Sequence, residues 1–392
     1  MLSKSDLHKI IEILLPNKKN KIFERYGYSE NELNENSKVI ERSSENIEIE
    51  INKVVWFLPA INNCSAGGIV TILKIAQFLS RECGAENVFL FEKSVNPRHL
   101  EFIRLSYPDI SFSVLCGVGL DRIPDACVGI CTFWTTAYSL LKYNRCRKKF
   151  YLLQDDERSF YAKGSLYSLV ESTYKFGFTG ITNSSAIQQN YKNISGKNCF
   201  VYRPGIDEDL LNISTDTRPK GKINVLVYSR PSHKRNCFES IIVGLKNVSN
   251  VVGSDYVFHL VGEGISKKQF GLNQQFVIYG NVGDKKKLKK LYSICSFGVS
   301  FITSPTYSYH QLDIITSGIS LVSNYDCELR KYFDDECVYY IGTSPSEIEI
   351  ELPKILIDIE GSQEKIQKSL KIISEFSWEQ CGKDICNILR NK

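Results

Sequence analysis

Short apolar runs recur along the chain from Lys53 onward, separated by segments of helix length. In the first half these runs are VVWFLPA (54–60), NVFLF (87–91), FSVLC (112–116), VGICTF (128–133), KFYLLQ (149–154) and FGFTGITN (176–183). The segment GIVTILKIAQFLSREC (68–83) has the length and apolar spacing of a helix. Continuous apolar strands that alternate with helices indicate βα units, whose parallel sheet is buried on both faces.

The alternation stops at VYRPGIDEDLLNISTDTRPKGK (201–222) and then restarts. The second set of runs is KINVLVYSR (222–230), DYVFHLVGEG (255–264), QFVIYG (275–280), SFGVSF (296–301), ISLVSN (319–324) and ECVYYIG (336–342). Helices are predicted over 235–248, 284–293, 308–317 and the C-terminal residues 348–392. The chain is therefore predicted to be an α/β protein with two consecutive doubly wound, Rossmann-like domains, followed by C-terminal helices.

The predicted divisions are an N-terminal segment over 1–50, a first domain over 51–205 and a second domain over 206–392. Within the first segment, MLSKSDLHKIIEILLPNKKNK is predicted to form an amphipathic helix, because Leu7, Ile10, Ile11, Leu14 and Leu15 share one helical face. Its apolar run is too short and interrupted for a secretory signal. The following ENELNENSKVIERSSENIEIE is interpreted as a loose connector. A cytoplasmic location is expected.

Composition and charge exclude several classes of protein. Of 392 residues, 43% are hydrophobic and 24% charged, the balance of a soluble globular protein, and the net charge is +5. Thirteen scattered cysteines favour reduced, buried thiols over a disulfide framework or a zinc site. The basic runs RCRKK (145–149), HKR (233–235) and DKKKLKK (284–290) predict solvated faces or attraction to an anionic substrate or membrane surface. No pattern of a nucleic-acid stacking platform accompanies them.

Ligands of open parallel sheets bind beyond the carboxyl ends of the strands, so polar residues there are the candidate site. INNCSAGGIV places Gly67 and Gly68 after the first strand, at a helix start, where a backbone approaches a ligand closely and free N–H groups favour an anion. Tight packing alone is an equal explanation. The dinucleotide pattern GxGxxG and the phosphate-binding loop GxxxxGK[ST] are both absent.

A second cluster, FYLLQDDERSFY (150–161), follows the fifth strand. Gln154, Asp155, Asp156 and Glu157 lie where that strand ends. Three consecutive acids are compatible with oxygen ligands of a divalent metal, and also with one functional acid beside two solvated ones. The second interpretation is favoured, and no metal is expected.

The third cluster, YSRPSHKRNCFE (228–239), ends the first strand of the second domain. Arg230 and Arg235 bracket a turn that opens a helix. Two guanidinium groups and a helix N-terminus are suited to clamp a diphosphate, and a pair of surface arginines is the alternative.

The fourth cluster, FITSPTYSYHQLDIITSG (301–318), carries more hydrogen-bonding groups than a strand–helix connection needs. Thr306, Tyr307, Ser308 and Tyr309 lie at the start of the predicted helix, and Asp313 lies one turn further in. Backbone N–H groups at a helix start bind anions, and a carboxylate one turn later accepts hydrogen bonds from a ribose diol. This composition predicts a lip that binds a nucleoside diphosphate joined to a sugar.

Together these clusters resemble a glycosyltransferase of the GT-B architecture, from the retaining family that uses nucleotide sugars. The features of that layout are GG after the first strand, Arg-x4-Arg after the first strand of the second domain, and "VGEG" with Gly262 and Gly264. The chain is most similar to WsaF-type rhamnosyltransferases, at AGG, LLQDDERSFYAKGSLYSLVESTYKFGF, YSRPSHKRNCFE and SPTYSYHQLDIITSG…VSN, from about Val54 to the C-terminus.

The resemblance implies roles for residues on both sides of a cleft between the domains. It implies that Arg230 and Arg235 hold the donor diphosphate and that Asp313 meets the ribose. The broader family has a Glu-x7-Glu pair in this region, where this chain has Pro305 and Asp313. These two replacements leave the identity of the sugar open. WsaF-type proteins also lack the first of these glutamates, so the resemblance to them stands.

On the first domain, the resemblance implies that Gly67 and Gly68 approach the donor. It also implies that Gln154 and Asp155 face the place where sugar and acceptor meet. The expected reaction retains configuration and needs no metal or other cofactor, because the arginines and helix amides stabilise the departing phosphate. If a general base is used, Asp155 is the expected residue.

The expected donor is a UDP- or dTDP-sugar. The expected acceptor is a glycan or lipid-linked glycan of surface polysaccharide or O-antigen assembly. Peripheral contact with a membrane is a further expectation. No nucleic acid is expected as a partner. Two rival hypotheses share the architecture: a sugar-nucleotide epimerase, which needs no acceptor, and a non-catalytic protein that binds nucleotide sugar.

Overall fold

The computed structural model contains two parallel β-sheets, each with helices on both faces. It describes residues 22–43, 48–61, 63–214, 218–219, 221–325 and 328–392. The amphipathic helix predicted from Leu7 to Leu15 lies outside these residues. No helix in the described ranges is long and apolar enough to cross a membrane.

The first sheet has seven parallel strands in the order β3-β2-β1-β4-β5-β6-β7. The strands are β1 Lys53–Leu58, β2 Glu86–Phe91, β3 Phe112–Cys116, β4 Ala126–Cys131, β5 Cys146–Leu153, β6 Thr179–Thr182 and β7 Cys199–Val201. The helices of this half are α1 Glu30–Ser43, α2 Gly67–Cys83, α3 Pro97–Ser106, α4 Trp134–Lys142, α5 Ser165–Tyr174 and α6 Ser185–Ser195. Helices α2 and α3 cover one face, and α4, α5 and α6 cover the other.

The second sheet has six parallel strands in the order β10-β9-β8-β11-β12-β13. The strands are β8 Ile223–Ser229, β9 Tyr256–Gly262, β10 Phe276–Gly280, β11 Phe297–Val299, β12 Ser320–Asn324 and β13 Tyr339–Ile341. The helices are α7 Phe238–Val251, α8 Lys267–Phe270, α9 Lys285–Ile294, α10 Tyr309–Thr316, α11 Pro345–Leu356, α12 Ile359–Ile373 and α13 Trp378–Asn391. The predicted pair of doubly wound α/β domains is thereby confirmed.

The polar stretch interpreted as a loose connector is partly helical, so that interpretation is wrong for Glu30–Ser43. Helix α1 docks on the first domain through Asn36, which is 2% exposed. The Asn36 amide donates to the Phe176 carbonyl (2.7 Å) and accepts from the Lys149 ammonium (2.8 Å). The helix also packs through Val39, which is 1% exposed, and through Leu33 and Ile40. The sequence interpretation missed it because these few apolar residues are dispersed in a strongly polar stretch.

The last helix, α13, returns to the first domain. Its residues Cys381, Ile385 and Leu389 belong to the apolar core built on α2 and the first sheet. Gly382 lies so close to Phe78 of α2 that an added Cβ would lie 2.2 Å from the ring. The position of α13 ties the end of the chain to the half that precedes residue 206, and the division at 205/206 itself stays a prediction.

Candidate functional site

Loops at the carboxyl ends of the strands from both sheets face each other. The contributing loops follow β1, β5, β8 and β11, and they carry the candidate residues singled out in the sequence. Parallel strands end at the same sheet edge, which is why residues far apart in sequence lie side by side here.

Asp155 and Arg235 form an ion pair between the two halves of the chain. The Arg235 Nε lies 3.0 Å from Asp155 Oδ2, and the Ser304 hydroxyl donates to the same oxygen at 3.4 Å. Asp155 is 7% exposed, and burial raises its carboxyl pKa, an effect that the Arg235 charge opposes. The Arg235 guanidinium also lies 4.9 Å above the ring of Phe160.

The contact of Arg235 with Asp155 is an ion pair without an aligned hydrogen bond. The Arg235 Nε is buried, and among the described residues no acceptor is aligned for a hydrogen bond with it. Buried donors in proteins are almost always satisfied by a protein group, water or ligand. An anionic ligand at Arg235 would therefore share or displace the contact with Asp155.

Arg230 is a third exposed and lies beside the loop that follows β9. Its Nη1 donates to the Tyr228 hydroxyl at 3.3 Å, and its Nε lies 3.7 Å from Glu263 Oε1. Gly262 lets the backbone after β9 lie close to that of Ser229: its φ is 133°, and an added Cβ would lie 2.3 Å from the Ser229 carbonyl oxygen. A side chain at this position is therefore excluded by the local backbone.

His310 stacks on Tyr228, a contact that the sequence analysis missed. The ring centroids are 4.3 Å apart with planes at 19°. Both imidazole nitrogens are buried and have no hydrogen-bond partner among the described residues. Burial lowers the His310 pKa to about 3, so the ring is neutral. The only sequence signal was its place in the first turn of α10.

Asp313 lies one turn after His310 on the same helix. Burial raises its pKa to about 7, the nearby Asp207 raises it further, and Lys285 acts in the opposite direction. The stacked pair Tyr228–His310 thus contacts the predicted phosphate residue Arg230, and His310 lies one turn before the predicted ribose residue Asp313.

The two glycines after β1 have different neighbours: Gly67 is packed against Tyr309 from the other half of the chain, and Gly68 against Gln154 from the same half. An added Cβ on Gly67 would lie 2.7 Å from the Tyr309 ring, and the Tyr309 and Thr71 hydroxyls are hydrogen bonded at 2.8 Å. The Gln154 amide donates to the Gly68 carbonyl at 3.1 Å. At Gly67, close backbone approach is therefore used for contact between the two halves of the chain.

The predicted lip from Thr306 to Tyr309 docks on the first domain. Thr306 and Tyr307 are 2% and 4% exposed. The Tyr307 hydroxyl donates to the Asn183 carbonyl at 2.9 Å, and the Thr306 hydroxyl lies 3.4 Å from the Gln154 carbonyl. These side chains hold the base of the cleft together, and their contact with a donor stays a prediction.

The start of α10 is capped by its own side chains. The Ser308 hydroxyl accepts from the His310 N–H at 3.2 Å, and Gln311 Oε1 accepts from the Ser308 N–H at 2.9 Å. This reciprocal capping box satisfies two of the amides that the sequence analysis left for an anion.

The three consecutive acids after β5 point to three different partners. Asp155 meets Arg235, and Asp156 pairs with Arg158 at 2.6 Å. Glu157 accepts from the Trp134 N–H at 2.6 Å and from the Tyr151 hydroxyl at 3.0 Å. In the described ranges, no group of three or more His, Cys, Asp or Glu side chains is arranged to hold a metal ion.

Glu157 has a structural role that the sequence did not reveal. Burial raises its pKa to about 8, and its hydrogen bonds from Trp134 and Tyr151 act in the opposite direction. It satisfies an N–H at the first turn of α4, next to the cleft. The sequence signal, an acid three residues beyond a strand, does not separate this capping role from catalysis.

The chain matches known proteins over both halves. Residues 223–351 match the family described as WsaF, C-terminal domain. The O-antigen biosynthesis protein RfbC of Myxococcus xanthus is 27% identical over 281 residues, which cover 70% of this chain and 22% of RfbC. This chain therefore spans about a fifth of that relative's length.

Solved structures resemble almost the whole chain. HepE from Anabaena, solved with UDP and glucose, has a TM-score of 0.69 at 13% identity and covers 86% of this chain and 99% of its own. Sucrose-phosphate synthase from Thermosynechococcus elongatus has a TM-score of 0.63 at 10% identity, with coverages of 86% and 98%. WaaG, a lipopolysaccharide glycosyltransferase, has a TM-score of 0.60 at 12% identity, with coverages of 87% and 100%.

The fold is GT-B, with two Rossmann-like domains and C-terminal helices. The more specific resemblance is also confirmed: the chain is similar to WsaF-like glycosyltransferases of this fold.

Proposed function

We propose that the protein is a glycosyltransferase that moves a sugar from a nucleoside-diphosphate donor to a glycan acceptor in surface polysaccharide or O-antigen assembly. The family match, the O-antigen relative and the UDP and UDP-glucose complexes of HepE support this class. One observation of the chain itself carries the proposal: Arg230 and Arg235 both lie in the connection between β8 and α7, and Arg235 meets Asp155 from the loop after β5 in an ion pair between the two sheets.

The donor diphosphate would lie between Arg230 and Arg235. Breaking the bond between the sugar and the diphosphate builds negative charge on the departing phosphate oxygen. Fixed positive groups that meet this charge lower the barrier selectively, because the interaction strengthens as the bond breaks. Asp155 holds Arg235 in the cleft before the donor binds. Asp313 would accept hydrogen bonds from the ribose hydroxyls.

The proposed stereochemical outcome is retention, with no metal required. The departing phosphate would take the proton of the attacking acceptor hydroxyl on the same face of the sugar, so no separate base is needed. Asp155 is the group to test if one is used, because its buried carboxyl faces the cleft and its pKa is raised by burial.

The proposed donor is a dTDP- or UDP-sugar, with rhamnose as the sugar that the WsaF likeness favours. The acceptor would be a glycan or lipid-linked glycan that approaches from the first domain, residues 51–205, while the second domain, residues 206–392, holds the nucleotide. A cytoplasmic location with peripheral membrane contact through the basic runs completes the proposal.

The test is release of nucleoside diphosphate from a panel of UDP- and dTDP-sugars, with and without oligosaccharide acceptors, in buffer containing EDTA. The proposal expects release that depends on the acceptor and persists in EDTA. Conversion of the donor to another nucleotide sugar without acceptor would identify an epimerase instead. Donor binding without any release would identify a binding protein, and strict metal dependence would contradict the metal-independent mechanism.

A further inference from the structure

A cavity of about 400 Å³ lies on the first domain, away from the two arginines. It occupies the face of the sheet opposite α2 and α3, over β1 and β2. The β3–β4 connection crosses this face through residues 117–125 and forms only the short 3-10 turn Leu120–Arg122 where doubly wound folds usually place a helix. The space that such a helix would fill is left open beside α4.

The lining of the cavity combines aromatic surface with a few polar groups. Apolar walls come from Phe57, Leu90, Val118 and Tyr138, and Glu92 lies at the carboxyl end of β2. Pockets that bind small molecules have this make-up and begin at about 300 Å³. The volume is therefore sufficient for one or two sugar units.

Glu92 is the polar group that most restricts the ligand. It is half-buried and accepts a hydrogen bond from the Thr135 hydroxyl at 2.8 Å. The lining also contains two cations: Lys142 is paired with Glu32 at 3.3 Å, and burial raises the pKa of Glu92 while the Arg25 charge lowers it. A ligand with hydroxyl donors satisfies Glu92, whereas an anionic amphiphile would place its head group against a carboxylate.

The first turn of α4 connects this cavity with the cleft. The Thr135 hydroxyl donates to Glu92 in the cavity, and the preceding Trp134 N–H donates to the buried Glu157. The Phe133 ring stacks on Phe160 at 6.4 Å and 21°, and Phe160 lies under Arg235. A continuous series of contacts through the first turn of α4 and these aromatic rings therefore links Glu92 to Arg235.

We propose that this cavity is a distal acceptor subsite, which binds a sugar unit of the acceptor glycan behind the unit that is glycosylated. Glu92 accepts hydrogen bonds from its hydroxyl groups, and Tyr138 and Phe57 pack against its C–H face. The inference rests on the proposed glycosyltransferase function for the identity of the ligand, but binding at the cavity needs neither donor nor catalysis.

The experiment is saturation-transfer NMR of the full chain with methyl α-glycosides of rhamnose, glucose, galactose and mannose, without donor. At least one glycoside is expected to bind.

Glu92→Gln should weaken binding of that glycoside about tenfold, as expected for loss of a charged hydrogen-bond acceptor. Val118→Trp, which fills the cavity from an irregular loop, should abolish it. Glu101→Gln, an exposed carboxylate on α3, is the matched control and should bind as the parent does.

The proposal is overturned if no glycoside binds, or if a glycoside binds equally well to the parent and both cavity variants. It is also overturned if laurate binds the parent protein but not Val118→Trp, because the cavity would then bind an amphiphile. Should Val118→Trp not fold, Glu92→Gln decides alone. UDP binding, measured by thermal shift on the same samples, separates the two proposals. Glycoside binding without UDP binding contradicts only the proposed donor chemistry. UDP binding without glycoside binding contradicts only the subsite.

Discussion

The Arg235 guanidinium is paired with the carboxylate of Asp155 from the other half of the chain, Nε to Oδ2 at 3.0 Å. A carboxylate and a phosphate compete for the same guanidinium group, and both are recognised by its fixed N–H groups. Donor binding at the proposed site must therefore share or displace this contact. The ion pair makes Asp155 and Arg235 the first residues to test.

Asp155→Asn should strengthen UDP binding severalfold, because it removes the negative charge that competes with the diphosphate. Arg235→Ala should weaken UDP binding at least tenfold. It should also lower the free energy of unfolding by about 2 kcal/mol, because Asp155 stays buried without its partner. Arg235 itself is a quarter exposed, which keeps this loss below that of a fully buried pair. Calorimetric titration with UDP and urea unfolding measure the two effects. Equal UDP affinity in all three proteins would remove the pair from donor binding.

Arg230→Ala should reduce turnover by two orders of magnitude or more with little change in the free energy of unfolding. Its guanidinium is a third exposed, so its removal leaves no buried charge, whereas the charge on the departing phosphate loses a stabilising partner. Arg147→Ala, an exposed residue at the far end of β5, is the control. A fully active Arg230→Ala variant would exclude Arg230 from the mechanism.

Asp313 should make UDP affinity depend on pH near neutrality. Its pKa is raised to about 7, chiefly by burial, so the carboxylate form that best accepts from a ribose diol becomes populated above that pH. UDP affinity should rise between pH 6 and 8 in the parent protein. Asp313→Asn serves as the reference, since it keeps the shape but cannot ionise. Identical pH profiles for the two proteins would contradict the ribose contact.

The stability of Glu157→Gln relative to the parent protein should increase as the pH rises. The folded protein holds the Glu157 proton up to a pKa of about 8, while the unfolded chain loses it near the ordinary glutamate pKa. Between these values the unfolded state binds fewer protons, so parental stability falls with increasing pH by at most about 1.4 kcal/mol per unit from this group. Urea unfolding at pH 5, 6.5 and 8 measures the difference, with Glu101→Gln as control. A gap between Glu157→Gln and the parent that does not vary with pH would show that Glu157 is ionised when buried.

The two neighbouring glycines should respond differently to alanine. At Gly67 a methyl group would meet the Tyr309 ring at 2.7 Å, and that ring is held by its hydroxyl contact to Thr71. Overpacking of this kind costs about 1–3 kcal/mol, more than the helix propensity that alanine gains. At Gly68 the nearest atom is the Gln154 amide at 3.2 Å, the end of a flexible side chain. Thermal unfolding of Gly67→Ala and Gly68→Ala should show the larger loss for the first, and equal losses would contradict tight docking of Tyr309.

The apolar runs, and the segments of helix length between them, were enough to predict the fold. A parallel sheet buried on both faces leaves a continuous apolar run in each strand. The short strand Cys199–Val201 and helix α1 were missed. The first is too brief for a pattern, and the few apolar contacts of the second are dispersed among polar residues, one of which, Asn36, is itself buried. The sequence also located the loops that form the cleft, since strand ends can be recognised where apolar runs stop.

The roles of residues within those loops needed coordinates. Asp155, Asp156 and Glu157 are consecutive in sequence, yet they bind Arg235, Arg158 and the start of α4 respectively. The pairing of Arg235 with Asp155, the stacking of His310 on Tyr228 and the cavity beside Glu92 likewise join residues that no local pattern relates. By itself the sequence determined which segments form strands and helices, because that choice follows from the local order of apolar and polar residues. Only the tertiary structure decided which polar groups meet, because burial and distance across two sheets set their partners and pKa values.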